Sequence, residues 1–242
     1  MPFAVLLAAH AILGQTKITN PAEIPVPQPG WEKRHAEKVE MVRKHKYDLL
    51  LIGDSITHQF EYAPYKPLWD KYFAPRNTID LAYSGARTEN ILWNLQNGEL
   101  DNQSPKVATL MIGTNNADGV HFPTAHDENQ IAGGIKAIVK LLREKLPTTK
   151  ILLIRCFPFG ERPNMNTRGD VLNKASEMSR KLVDNKKVFW LDVNEAFLNR
   201  DGSMNKNLMP DVLHPSPEGS KKWCELMEPT LAKLLGEKPI QP

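Results

Sequence analysis

The stretch Leu49-Leu50-Leu51-Ile52-Gly53-Asp54-Ser55 decides how this chain is read. Its apolar run has the composition of a strand buried on both faces, as in a parallel sheet. It stops at a glycine followed by a carboxylate and a hydroxyl. In open α/β sheets, ligands gather beyond the carboxyl ends of the strands. Ser55 is therefore a candidate nucleophile, with capping of a following helix as the plainer alternative.

Working outward, residues 47–52 form the first strand of a series. Further strand candidates lie at 78–81, 107–112, 150–156 and 188–191. Between and around them, helical patterns cover 31–45, 88–95, 131–146, 172–183 and 222–235. The third of these carries Ile131, Ile135, Ile138, Leu141, Leu142 and Leu146 at helical spacing. Strands alternating with helices predict an α/β fold, its parallel five-stranded sheet covered on both faces and joined by right-handed crossovers. Pro21, Pro25, Pro27 and Pro29 make 20–30 read as an extended linker ahead of a domain at 31–236, with a tail at 237–242.

The 242 residues suit one packed domain, and 41% hydrophobic with 24% charged content is that of a globular protein. A net charge of +3 without a basic stripe argues against nucleic-acid binding. Residues 3–13 are apolar except for His10, long enough for a secretory leader and too short to span a bilayer. Export is the expectation, with 1–19 as leader; a docking segment in a cytoplasmic protein is the alternative. No other segment suits stable membrane insertion. Cys156 reads as a buried thiol, and Cys156 and Cys224 have no metal-ligand spacing.

A serine that cleaves esters needs a base, an acid to orient that base, and donors for the oxyanion. Asp211 and His214, in Asp-Val-Leu-His-Pro, can meet across a tight turn, leaving one imidazole nitrogen for Ser55. Asn115, in Gly-Thr-Asn-Asn after the strand at 107–112, can offer an amide N–H where negative charge grows; Gly85 can offer a backbone N–H. Each is ordinary alone, and together they supply four parts of one machine. The His121–Glu128 segment matches no strong ligand motif, so no metal or other cofactor is expected, and the loop reads as a border of the active-site mouth. His58 reads as a surface residue more readily than a substrate contact, and Arg87 and Arg155 as salt-bridge partners.

These blocks resemble the SGNH (GDSL-type) esterase superfamily: Gly53-Asp54-Ser55, Gly85, Gly113-Thr114-Asn115 and Asp211-Val212-Leu213-His214. The stretches 91–100, 105–107, 113–116 and 158–164 are similar to the platelet-activating-factor acetylhydrolase catalytic-subunit subgroup and related bacterial acylhydrolases. The resemblance implies a three-layer α/β/α, flavodoxin-like hydrolase without metal. It implies Ser55 as nucleophile, His214 as base and Asp211 as its partner. The oxyanion hole would be the N–H groups of Ser55 and Gly85 with the Asn115 side chain. A small acyl pocket would involve Ile56, Thr114 and Leu213, suiting acetyl, and a homodimer follows by analogy alone.

The expected activity is thus hydrolysis of a short-chain oxygen ester, a small-molecule substrate with acetylated carbohydrate first in line. A lysophospholipid or acetyl-phospholipid is the alternative, and a non-catalytic glycan-binding protein on the same fold is the rival from another class.

Overall fold

The computed structural model describes residues 19–241; the expected leader lies almost wholly outside the described residues. Five strands, β1 (Leu49–Gly53), β2 (Thr78–Asp80), β3 (Val107–Met111), β4 (Lys150–Ile154) and β5 (Val188–Leu191), form one sheet in the order β2-β1-β3-β4-β5. Every pairing is parallel, with Leu49 beside both Thr78 and Val107, and Ile151 beside Val188. The connections out of β1 and β3 diverge between these neighbours, which opens a fissure at their carboxyl ends.

Among the described residues seven α-helices accompany the sheet: α1 (Glu32–Lys44), α2 (Ser55–His58), α3 (Lys66–Leu68), α4 (Thr88–Asn94), α5 (Glu128–Lys145), α6 (Thr167–Arg180) and α7 (Pro217–Leu235). Alternate strand residues separate the two cores. Leu50, Ile52, Ala108, Leu110, Ile151 and Leu153 pack with Val42 of α1, Ile91 of α4, Ile135 of α5 and Leu172 of α6. Leu49, Leu51, Val107, Met111 and Leu152 pack with Phe60, Phe73, Trp223, Met227 and Leu231 on the other face. The result is a three-layer α/β/α arrangement with the sheet buried on both sides.

Helices α5, α6 and α7 begin ahead of the ranges that apolar spacing predicts. Their first turns are polar and are set by caps instead: Asp127 accepts the N–H of Gln130, Asn166 that of Gly169, and Ser216 that of Gly219. Arg76 is buried just before β2 and makes a bidentate pair with Glu228 of α7 at 2.8 and 2.5 Å, fixing that helix against the sheet.

The proline-bearing segment is more than a linker. It holds a short 3₁₀ turn at Pro21–Glu23 and is fastened to α4 and its approach. Thr88 Oγ1 donates to the Ala22 carbonyl at 3.0 Å, Val26 N donates to Glu89 O at 3.1 Å, and Asn90 Nδ2 donates to Val26 O at 3.0 Å. Prolines exclude a helix there, but such side-chain anchors leave no periodic trace. Among the described residues no helix is long and apolar enough to cross a membrane. Both cysteines are buried as free thiols.

Candidate active site

β1 delivers Ser55 through a turn that tolerates no side chain at residue 53. A Cβ on Gly53 would lie 2.5 Å from Thr57 Oγ1 and 2.7 Å from the Met111 carbonyl. Asp54 then caps α2, its carboxylate accepting the Ile56 N–H at 3.1 Å. Asp54 is buried, and that burial raises its pKa to about 6.

The Asp211–His214 loop folds around the Asp211 carboxylate. One oxygen accepts the backbone N–H groups of Leu213 and His214 at 3.0 and 2.6 Å, while the other meets His214 Nδ1 at 2.7 Å. Partial burial of Asp211 works the other way, yet these donors, that of His214 foremost, hold the carboxyl below its usual range. Val212 sits at φ +56°, a left-handed conformation that is uncommon for a β-branched residue and costs about 1–3 kcal/mol. The loop is held from outside by Gly160 N donating to Val212 O at 2.9 Å and Tyr65 Oη donating to Pro215 O at 3.0 Å. His214 Nε2 then lies 2.9 Å from Ser55 Oγ, although 159 residues separate the two.

The loops after β2 and β3 complete the site. Gly85 takes φ +77°, and among the described residues its N–H has no protein acceptor. Gly113, at φ +131°, turns the chain after β3 so that Asn115 reaches the same place. Asn115 donates to the Ala86 carbonyl at 2.9 Å, and its amide carries a second N–H for a ligand. The buried Asn116 laces the two loops together, accepting Thr88 N at 3.0 Å and donating to Glu89 at 2.9 Å.

Ser55, Gly85, Asn115, Asp211, Leu213 and His214 share one cleft of about 560 Å³, bordered by Val120, His121, Phe122 and Phe159. Of the His121–Glu128 segment, His121 and Phe122 flank the mouth. Of the three acyl-pocket candidates, Leu213 lines the cleft. Ile56 packs into the core around Phe60 and Met111, and Thr114 is buried with its carbonyl bound by Arg168 at 3.0 Å.

Two further cleft residues gave no sequence signal. Arg168 pairs with Asp118 at 3.0 Å and stacks 3.9 Å from the Phe159 ring. Asp118 also takes His121 Nδ1 at 2.8 Å; burial opposes ionisation, but His121, two backbone N–H groups and Arg168 hold its carboxyl down at about 2. Neither residue stands in a recognisable spacing. Arg87 and Arg155 form the expected ion pairs, with Glu89 at 3.2 Å and Asp192 at 2.8 Å.

His58 corrects the expectation of a surface residue, being only 5% exposed. It packs edge-on against Trp31 with ring centroids 5.3 Å apart. Burial first, and the Arg34 charge next, push its pKa down to about 4, so the ring is neutral near pH 7.

A larger depression of about 850 Å³ adjoins the cleft and shares Phe159 with it. It contains neither Ser55 nor His214; Glu161, Arg162, Asn199, Asn205, Lys206 and Asn207 are among its walls. Its charges are paired, Lys206 with Glu161 at 2.5 Å and Arg162 with Asp201 at 3.3 Å.

A hydroxyl, an imidazole and a carboxylate thus stand in sequence at the carboxyl rim of a 2-1-3-4-5 sheet, a geometry chemically suited to acyl transfer. Residues 51–222 match the GDSL-like Lipase/Acylhydrolase family. Platelet-activating factor acetylhydrolase IB subunit alpha2 of Homo sapiens is 32% identical over 228 residues, covering 91% of this chain and 94% of the relative. Among solved structures, a GDSL-like lipase from Bacteroides thetaiotaomicron VPI-5482 is similar with a TM-score of 0.66 at 17% identity, over 83% of this chain and 97% of that one. An acetyl xylan esterase is similar with a TM-score of 0.64 at 20% identity, over 77% of this chain and 100% of that one. These two likenesses show the fold. The chain belongs to the GDSL-like lipase/acylhydrolase family and is a carboxylic ester hydrolase.

Proposed function

We propose that this protein removes a short acyl group, acetyl above all, from an oxygen ester of a carbohydrate, with Ser55 as nucleophile. The observation that carries this reading is the Ser55–His214–Asp211 chain, at 2.9 and 2.7 Å, inside the cleft that Gly85 and Asn115 also line. Ser55 Oγ attacks the ester carbonyl as its proton passes to His214 Nε2, and the carbonyl electrons move to oxygen. The N–H groups of Ser55 and Gly85 and the Asn115 amide take up that negative charge. Collapse breaks the acyl–oxygen bond, and His214 protonates the departing alkoxide. Water then repeats the sequence on the acyl-enzyme, releasing the acid and free Ser55.

Two features favour a short acyl group on a neutral, polyhydroxylated alcohol. Leu213 lines the same cleft as Ser55, and its branched side chain takes up space there that a long acyl chain would need. The neighbouring depression offers amide side chains and mutually paired charges, a surface suited to hydroxyls rather than to a free ionic headgroup. An acetylated phospholipid is the second reading, favoured by the name of the human relative.

The test measures acetate released from acetylated sugars and from acetyl-phospholipid, alongside p-nitrophenyl acetate and octanoate, by wild type and Ser55→Ala. Acetate release from sugars that is abolished in Ser55→Ala supports the proposal. Faster turnover of octanoate than acetate, or turnover of phospholipid alone, overturns the substrate assignment. Binding of glycan without turnover overturns the enzyme reading.

A further inference from the structure

The oxyanion donor assigned above to Gly85 sits at the third position of a tight turn, which Ala86 N closes by donating to Tyr83 O at 3.0 Å. At φ +77° it lies in the left-handed region, and a glycine has the widest freedom to leave it. The turn bond spans the Ser84–Gly85 peptide without touching its N–H or C=O, so contacts from outside the turn refine the orientation of that N–H. That N–H belongs to the same planar unit as the Ser84 carbonyl; across a trans peptide the two point in opposite directions. Among the described residues no peptide bond is cis. Whatever grips the Ser84 oxygen therefore aims the Gly85 N–H.

Gln28 grips it. Its Nε2 donates to Ser84 O at 2.8 Å, from the proline-bearing segment that is anchored through Ala22 and Val26 to Thr88, Glu89 and Asn90. On the other side of the same residue, the Ser84 N–H donates to His58 Nδ1 at 3.2 Å. A backbone N–H can only donate, so Nδ1 is the unprotonated nitrogen and the ring proton sits on Nε2. Nε2 faces Glu61 at 3.7 Å, and Glu61 is itself held by Lys38 at 2.6 Å and Arg34 at 2.5 Å. The Ser84 hydroxyl adds contacts to His58 Nδ1 and to Tyr62 Oη, each at 3.0 Å.

We propose that Gln28 and His58 are positioning residues that clamp Ser84 from both sides and so aim the Gly85 N–H at the developing oxyanion. The proposal rests on the esterase reading above. It gives the segment ahead of α1 a task in the reaction, and it gives the buried imidazole a role separate from that of His214.

The experiment compares wild type with Gln28→Met, which keeps the volume and loses the donor, and His58→Phe, which loses the acceptor. His58→Asn restores an acceptor near the place of Nδ1. Turnover of p-nitrophenyl acetate and inhibition by a boronic acid, whose serine adduct puts an oxygen in the oxyanion hole, are measured on protein shown by circular dichroism to be folded. Gln28→Met and His58→Phe should lose about 10- to 100-fold in kcat, with KM within about twofold and boronate binding weakened in proportion. His58→Asn should recover most of the loss. Wild-type kcat in Gln28→Met, or His58→Asn as slow as His58→Phe, overturns the clamp while the esterase reading stands. A wild type inactive on every ester overturns both.

Discussion

Asp54→Asn is expected to stabilise the protein at alkaline pH and to cost it about 1 kcal/mol in acid. The carboxyl is buried at the start of α2, where it accepts the Ile56 N–H at 3.1 Å. Burial moves its pKa from an ordinary 3.8 to about 6 in the folded protein. A carboxyl raised on folding binds its proton more tightly in the native state. Its favourable contribution is therefore full below pH 3.8 and is lost as pH climbs to about 6. At 1.36 kcal/mol per pH unit, the ionised side chain costs the native state about 3 kcal/mol at pH 8. Asparagine keeps the cap oxygen and removes the charge, while burying an amide N–H that costs about 1 kcal/mol. The net gain of about 2 kcal/mol corresponds to a Tm about 4–8 °C higher at pH 8 for a chain of this size. Melting of both proteins from pH 4 to pH 8 by differential scanning calorimetry gives the answer. A difference in Tm that fails to grow with pH, or a variant less stable at pH 8, refutes the idea that Asp54 is charged at a cost.

Other substitutions read separate parts of the molecule. Asp211→Asn retains an oxygen for the Leu213 and His214 N–H groups, so it should fold, while kcat falls by about 10⁴ through the wrong imidazole tautomer and KM holds; steady-state kinetics checks this. Leu213→Ala should raise the butanoate-to-acetate ratio of kcat/KM by about tenfold, measured with p-nitrophenyl esters. Glu228→Gln leaves the buried Arg76 with Glu237 at 3.0 Å as its remaining carboxylate and should cost about 1.5–3 kcal/mol in urea unfolding.

Much of this architecture was legible because its signals are local. The apolar run into Gly53-Asp54-Ser55 announces both a buried strand and what it carries, and Asp211-x-x-His214 is short enough for its turn to be read directly. Apolar spacing places the helix starts too late because it says nothing about a polar first turn, where Asp127, Asn166 and Ser216 do the capping. The anchoring of residues 20–30 was illegible for another reason. Prolines reveal a conformation, whereas Ala22 and Val26 contribute backbone atoms whose partners are 63 to 66 residues away. His58 and Arg168 are single side chains without a pattern, so neither the burial of one nor the cleft position of the other could be inferred.

The carboxylate of Asp211 serves two masters, folding its own loop through two main-chain donors and steadying the imidazole through its second oxygen. Truncation to alanine at this position would therefore let a Val212 held at φ +56° relax, and the ring would drift for reasons unrelated to proton transfer. Alanine scanning of this loop would overstate the chemical share of the acid. Isosteric replacement separates scaffolding from catalysis.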